Sequence, residues 1–459
     1  MHAALTRNLS VTPKHTLHDW LTYIESLHPL GAAGIELGLE RVRRVYAALG
    51  LQLRLPGVVV TVGGTNGKGS SVAMLESISM AAGLRVVAFT SPHLLRYNER
   101  VRLDGVDAPD EAWVRAFAQV EQARAEVPLT YFEFGTLAAL LVMLEFAPQL
   151  MLLEVGLGGR GDAVNVVDAD AVLLTNVELD HVAMLGADRE AIGREKAGVM
   201  RAGQIVVLAE AEPPVSVLAH AQQLGLLAGQ SLLQRDKDFT LEQHDADAWV
   251  WQGLGQWQAQ RHVLPQPALA GAHQRDNAAG VLMLIEALKA GELWPAPATV
   301  KQYAAGLRQV RHPGRLQRLP ARVPVWLDVA HNPAGVDALA QAMRDLPSVR
   351  RTLAVFGVLA DKDALAMARA LAGEIDAWYL ASLNGARGRS SENLAQVLLQ
   401  SNAAGTFQIA ATEASPFLAY TQALHDAREG DRIFVFGSFL CVTNVLEHLE
   451  SRASSEADE

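Results

Sequence analysis

The stretch Gly64-Thr65-Asn66-Gly67-Lys68-Gly69-Ser70 decides the fold. Ahead of it runs Val58-Val59-Val60-Thr61-Val62, an apolar, β-branched run that reads as a buried parallel strand. Behind it, Val72, Leu75, Ile78 and Ala82 recur at helical spacing. Strand, glycine loop, lysine, hydroxyl and helix, in that order, make a phosphate cradle. The glycines let backbone N–H groups converge on an anion, and the helix N-terminus adds a favourable dipole. Lys68 is placed to reach terminal phosphates, and Ser70 to face a phosphate or a metal. The loop departs from the strict G-x-x-x-x-G-K-[ST] form. Val62 stands at the place of the first glycine, and Gly69 is inserted between Lys68 and Ser70. A plain glycine-rich turn is the other reading; the flanking strand and helix favour nucleotide phosphate.

The 459 residues suggest about three domains, or two large ones. Half of them are hydrophobic, enough for large cores. A net charge of −11 argues against a general nucleic-acid binder. The one cysteine, Cys441, excludes an intramolecular disulfide and a cysteine-rich metal site. Residues 1–10 lack the continuous apolar core of a signal peptide, and no charge-free apolar run of about 18 residues suggests a membrane helix. A cytoplasmic protein with neither nucleic-acid nor membrane partners is expected. No internal repeat is visible, and the polar tail 451–459 is expected to fray.

Residues 1–15 read as irregular, 18–27 and 39–49 as helices, and 31–34 as a loop between them. A second strand over 85–89 empties into Thr90-Ser91-Pro92-His93. Ligands of open α/β sheets gather at the carboxyl ends of strands. Ser91 is therefore either a neighbour of the phosphates or a turn or cap serine; on position alone the turn or cap is the better reading. Thr130-Tyr131-Phe132-Glu133 precedes a helix over 134–146, and Thr130 with Glu133 fits a capping box. The same residues could line a pocket for a flat heterocycle; the cap is the better reading from spacing.

A third strand, 150–155, brings Glu154 to its end, before Gly156-Leu157-Gly158-Gly159-Arg160. A buried carboxylate needs a metal or an arginine to compensate it. The fourth strand, 171–175, leads into Asn176-Val177-Glu178-Leu179-Asp180-His181. His181 alone reads as an ordinary histidine. Together with Ser91 and Glu154 it completes an oxygen, oxygen and nitrogen set beside the phosphate loop, suited to Mg²⁺. A helix over 190–200 carries Lys196, which spacing alone does not single out. After a strand over 205–208, residues 231–265 alternate around Trp249, Trp251 and Trp257, as in a small antiparallel sheet. A helix over 273–289 has Gln274 and Asn277 near its start.

Residues 308–318 are basic and contain Pro313 and Gly314. They read as a domain boundary, and as a hinge able to deliver an arginine to phosphates. Beyond it, strands over 325–329, 353–358, 378–383, 407–410 and 433–436 alternate with helices over 336–346, 364–371, 393–399, 416–428 and 440–450. The fold class expected is α/β. A P-loop N-terminal domain over 1–317 has a mainly parallel sheet plus a small antiparallel sheet, and a smaller Rossmann-like C-terminal domain covers 318–459. Asp328 with His331 and Asn332, Asp361-Lys362-Asp363, and Gly437-Ser438 fall at strand ends there. Asp328 and His331 are either turn residues or functional, and their place after the basic hinge favours function.

Taken in order, Gly64 to Ser70, Ser91-Pro92-His93-Leu94, Glu154 to Arg160, Asp180-His181, Glu195-Lys196-Ala197-Gly198, His312-Pro313-Gly314-Arg315 and Asp328-Val329-Ala330-His331-Asn332-Pro333 resemble the folylpolyglutamate synthases. These are ATP-dependent acid–amino-acid ligases of the Mur ligase superfamily. The resemblance spans nearly the whole chain; singly only the phosphate loop is informative, and jointly the set is specific. The stretch 129–133 is most similar to the bifunctional bacterial branch, which also makes dihydrofolate.

The resemblance implies ATP contacts at Thr65, Asn66, Gly67, Lys68, Asn277, Arg315 and Asp328. It implies magnesium ligands at Ser91, Glu154 and His181, and a carbamylated Lys196 able to hold a second Mg²⁺. It implies a pterin pocket at Thr130, Tyr131, Phe132, Glu133, Gly161, Asp162 and Ala163. Gly161 stands where close relatives carry a bulkier apolar residue, and Glu36 where Asp is usual; either bears on the pterin fit. The implied substrates are ATP, dihydropteroate, reduced folates and L-glutamate, acting through an acyl phosphate on a monomer whose two domains close together. Lys68, Lys196 and His331 are the implied catalytic residues, with His331 orienting either glutamate or nucleotide. A need for a monovalent cation is left open. The rival readings are a muramyl-peptide ligase, a P-loop kinase or GTPase switch, and a nucleotide-binding scaffold without catalysis. The Tyr131-Phe132 pair, the lack of an Asn-Lys-x-Asp motif and the full metal set speak against them in turn.

Overall fold

The computed structural model describes residues 15–27, 34–400 and 407–457, with side chains described to residue 452. The expectations for 1–14, for loop residues 31–33 and for the last two residues of the tail lie outside the described residues.

Strands β1 (Val58–Gly63), β2 (Val86–Phe89), β3 (Val101–Leu103), β4 (Val106–Asp107), β5 (Leu150–Glu154), β6 (Ala171–Leu174), β7 (Ile205–Leu208) and β8 (Leu232–Gln234) form one sheet. Its order is β4-β3-β2-β5-β1-β6-β7-β8. Neighbours from β2 across to β8 run parallel, and β3 and β4 make an antiparallel edge. β1 is central, with Val60 opposite both Leu152 and Ala171. Its side chains enter two cores: Val60 and Val62 pack on one face of the sheet, and Val59 with Phe89 and Leu153 on the other. Burial on both faces is why the run is apolar without alternation. The order reverses around β1, and a crevice opens at such a switch point outside the carboxyl ends of the strands. The helix Lys68–Ala81 leaves from there and is held against the helix Val300–Gln309, where Ser77 Oγ donates to Gly306 O at 2.8 Å.

β9 (Phe239–Gln243), β10 (Ala248–Gly253) and β11 (Arg261–Pro265) form the small antiparallel sheet, with Trp249 and Trp251 fully buried. It is shorter than expected. Residues 232–234 instead extend the large sheet as β8, because they pair with β7 in parallel. Helices Asp110–Arg124, Val215–Gln223 and Val300–Gln309 are additions to the sequence reading.

The C-terminal sheet has β12 (Gln317–Leu319), β13 (Val325–Leu327), β14 (Arg351–Phe356), β15 (Ala377–Ala381), β16 (Ile409–Glu413) and β17 (Asp431–Phe436), in the order β12-β13-β17-β14-β15-β16. All pairs are parallel except β12 with β13. The division expected at 317/318 falls inside β12. The last helix, Phe439–Ala457, continues beyond the expected end at 450. Among the described residues no helix is long and apolar enough to cross a membrane.

Candidate active site

The carboxyl ends of β1, β5 and β6 face the start of the C-terminal domain across a cavity of about 1060 Å³. Gly64 turns the chain out of β1 with a φ of 141°, and a Cβ there would collide with Thr175 Oγ1. Gly67 caps the helix Lys68–Ala81 in the left-handed region, at φ 83°. The loop is fixed from β6's side: Thr65 N–H donates to Asn176 O and Asn66 N–H to Asn176 Oδ1, each at 2.9 Å. Lys68 Nζ donates to Thr65 O at 3.0 Å. Ser70 Oγ accepts from Gln274 Nε2 at 3.4 Å, and Gln274 Oε1 accepts from Asn277 at 3.1 Å.

Charges meet in the cavity without a full set of partners. Burial pushes the Lys68 ammonium down and the Glu154 carboxyl up, and each opposes the other's shift electrostatically. Glu154 Oε2 accepts the Ser91 N–H at 3.0 Å. Lys196, 4% exposed, donates from Nζ to Gly64 O at 2.8 Å. Burial, helped by the charge of Lys68, lowers its amine to about 7. Burial takes His181 down to about 4, against the pull of Asp180, so its ring is neutral with a lone pair to offer.

Ser91, Glu154, His181 and Lys196 all line this one cavity. Among the described residues no three His, Cys, Asp or Glu side chains form a ready cage. A carboxylate, a neutral imidazole and a hydroxyl beside a phosphate loop do fit Mg²⁺, which keeps waters and takes few protein ligands.

From the far side of the cavity come Arg315 of the basic hinge and, in the C-terminal domain, Asp328 and His331. Asp328 accepts Leu316 N–H at 2.9 Å and Ala330 N–H at 2.8 Å, so it both shapes the turn and faces the cavity. Arg315 lies over the Phe439 ring, its guanidinium 5.4 Å from the centroid. His331 Nδ1 sits 3.0 Å from Val329 O, which leaves Nε2 directed at Asp180 Oδ2, 3.4 Å away.

A clasp that the sequence reading left unassigned joins the domains. Asp180 pairs through Oδ1 with Lys362 Nζ, and its Oδ2 accepts from Asn332 Nδ2 at 3.0 Å. Asn332 also exchanges amide hydrogen bonds with Asn66 of the phosphate loop, at 3.0 and 3.2 Å. The signal for these residues was their position at strand ends; nothing in their spacing told them from turn formers.

The seven residues of the implied pterin pocket do not line the cavity. Thr130 and Glu133 make the capping box of the helix Tyr131–Glu145, and Glu133 also accepts from Arg41 Nη2 at 2.9 Å. Tyr131 is buried, and Phe132 is half-buried with its ring between Phe89 and Gly156. Asp162 accepts the N–H groups of Leu157 at 2.8 Å and Val164 at 2.9 Å, and burial raises it to about 6. Gly161 O accepts the Gly38 N–H at 2.9 Å, and Ala163 is buried at the start of a 3₁₀ turn. Gly156, against which Phe132 leans, does line the cavity.

A phosphate loop and a candidate metal set on one α/β domain, facing a hinge arginine and a histidine of a second, define the class of two-domain ATP-dependent ligases. The model of the Mur ligase glutamate ligase domain matches residues 314–439. Dihydrofolate synthase/folylpolyglutamate synthase of Escherichia coli (strain K12) is 40% identical over 441 residues, covering 95% of this chain and 96% of that protein. The structure of E. coli FolC in complex with DHPP and ADP matches with a TM-score of 0.85 at 38% identity, covering 96% of this chain and 100% of that one. A bifunctional folylpolyglutamate synthase/dihydrofolate synthase with Mn, AMPPNP and L-glutamate bound matches with a TM-score of 0.83 at 38% identity and the same coverage. The chain belongs to the dihydrofolate synthase/folylpolyglutamate synthase family of Mur-type ligases.

Proposed function

We propose that the chain ligates L-glutamate to dihydropteroate, giving dihydrofolate, and to the γ-carboxylate of reduced folates, using ATP. The observation that carries this is the single cavity in which Lys68, Glu154 and His181 face Arg315, Asp328 and His331 across the two domains. A carboxylate oxygen is a poor leaving group. Transfer of the γ-phosphoryl group of ATP to the acceptor carboxylate gives an acyl phosphate. The glutamate amine then attacks the carbonyl carbon, the C–O bond to phosphate breaks, and the amine gives up a proton.

Lys68 and Arg315 neutralise charge shared between phosphoryl group and carboxylate, and their own unfavourable burial is relieved when the anion arrives. Thr65, Asn66, Gly67, Gly69, Ser70, Asn277 and Asp328 hold the nucleotide. Ser91, Glu154 and His181 would hold Mg²⁺, which when bound supplies further positive charge at the phosphate oxygens. Burial, with the charge of Lys68, lowers Lys196 to about 7, so a neutral fraction is open to carbamylation by CO₂, and its carbamate would hold a second Mg²⁺. Native mass spectrometry of the intact protein, compared with an acid-treated sample that would lose the CO₂, is the check on that modification. In the same reading Thr130, Tyr131, Phe132, Glu133 and Gly161, Asp162, Ala163 shape the pterin side, with Phe132 leaning on Gly156 at the cavity wall. The division at 317/318, a monomer and a cytoplasmic location belong to the same reading, and the single cysteine supports the last of these.

The test is phosphate release from ATP with glutamate and either dihydropteroate or a reduced folate. Both acceptors are expected to work. Release with folate alone would reduce the chain to a folylpolyglutamate synthase, and release with neither would overturn the proposal.

A further inference from the structure

We propose that His312 is a positioning residue for the phosphate loop, and that Gly69 stands between Lys68 and Ser70 in order to admit its imidazole. A Cβ built on Gly69 would lie 2.6 Å from His312 Nε2 and 3.2 Å from its Cε1; the next atom, Glu154 Oε1, is at 3.6 Å. Two other reasons for a glycine fail here. Position 69 is the second residue of the helix Lys68–Ala81, where alanine is the better helix former. Nor is Gly69 among the glycines with positive φ, so its backbone does not call for one. The close approach of the ring is a further reason beside the access to an anion that the loop's glycines give.

The contact joins two parts of the site that are far apart in sequence. Gly69 is flanked by Lys68 and Ser70, so a shift at 69 moves both the ammonium and the hydroxyl. His312 lies within the basic hinge, with Arg315 three residues on and β12 just beyond. The ring therefore registers the phosphate loop against the segment that carries the arginine and leads into the C-terminal domain. This inference rests on the reading of the loop as an ATP cradle.

The test is a double-mutant cycle of Gly69→Ala, His312→Ala and the pair, read by equilibrium binding of ADP and by KM for ATP against kcat. Gly69→Ala alone is expected to lower kcat/KM for ATP by about 10- to 100-fold, the scale of a misplacement of about 1 Å. In the His312→Ala background the same substitution should be neutral or beneficial, since alanine then acts only as the better helix former. His312→Ala alone should raise KM for ATP several-fold with an unchanged melting temperature. Equal losses from Gly69→Ala in both backgrounds would overturn the inference. Should Gly69→Ala alone fail to fold, a folded double variant supports the contact, and a double variant that also fails overturns it. A wild-type chain that binds no ADP would instead overturn the ATP reading itself.

Discussion

The phosphate cradle and the helix start at Thr130 to Glu133 are both rich in polar groups near the same sheet, yet they are built in opposite ways. In the cradle, burial works against the charges: Lys68 is pushed down and Glu154 up, and among the described residues Lys68 has one hydrogen-bond acceptor, Thr65 O, and Glu154 one donor, the Ser91 N–H. At Thr130 the polar groups close on each other, as Glu133 Oε2 accepts the Thr130 N–H at 2.8 Å and Thr130 Oγ1 accepts the Glu133 N–H at 3.2 Å. The first region is held by its surroundings in a state that a ligand completes. The second is already complete. Polarity at a strand end is therefore a poor guide to function until the partners are counted.

Four measurements press on this contrast. Lys68→Ala should lower turnover by about 1000-fold or more, the scale of losing a charge that stabilises a transition state, while the melting temperature holds or rises because an unfavourably buried ammonium is gone. Phosphate release and a thermal melt check the two halves, and a large loss of stability would break the contrast. Asp180→Ala removes the partner of Lys362, which is 8% exposed, and an unpaired buried charge costs about 3–5 kcal/mol. Because that pair bridges the domains, the expected result is a larger radius of gyration in X-ray scattering together with a fall in turnover.

Glu286 extends the contrast to a charge far from the cavity. Burial would raise its carboxyl, but hydrogen bonds from His262, Tyr303 and Lys289 outweigh that and hold it below its ordinary value of 4.5. Its folded pKa is depressed, so its contribution is present above the unfolded pKa and is lost as pH falls through the folded one. Melting temperature should fall as pH drops below about 4.5, with Glu286→Gln flattening that slope. The smallest effect belongs to Thr130→Ala, which should cost about 1 kcal/mol of stability as a lost helix cap and leave turnover nearly intact. Turnover lost without stability would show that the cap region also binds substrate.

The sheet frameworks were legible because buried parallel strands announce themselves as apolar runs, as Val58 to Val62 and Leu150 to Leu153 do. The strand over 232–234 was misassigned because three apolar or polar residues cannot say which sheet they will join. The helix Val300–Gln309 carried a readable signal, the Thr299 and Gln302 capping box, behind a proline-rich lead. In the site, Lys68 was legible by its loop, whereas Ser91, Glu154 and His181 were candidates only as a joint set, which the cavity brings together. Asp180, Asn332 and Lys362 were not legible, since their meaning lies in a contact between residues 152 and 182 positions apart. Only the packing of one domain on the other creates it.

The cavity's shared ownership has a consequence for medicinal chemistry. Its volume of about 1060 Å³ lies just above the range of ordinary small-molecule sites, which is about 300–1,000 Å³. A compound seated on the glycine loop alone would compete with every cellular nucleotide and meet a surface common to many phosphate-binding enzymes. One long enough to touch Lys68 at one end and Arg387 or Asn384 at the other would need both halves of this molecule in place, and selectivity would come from the span rather than from either anchor.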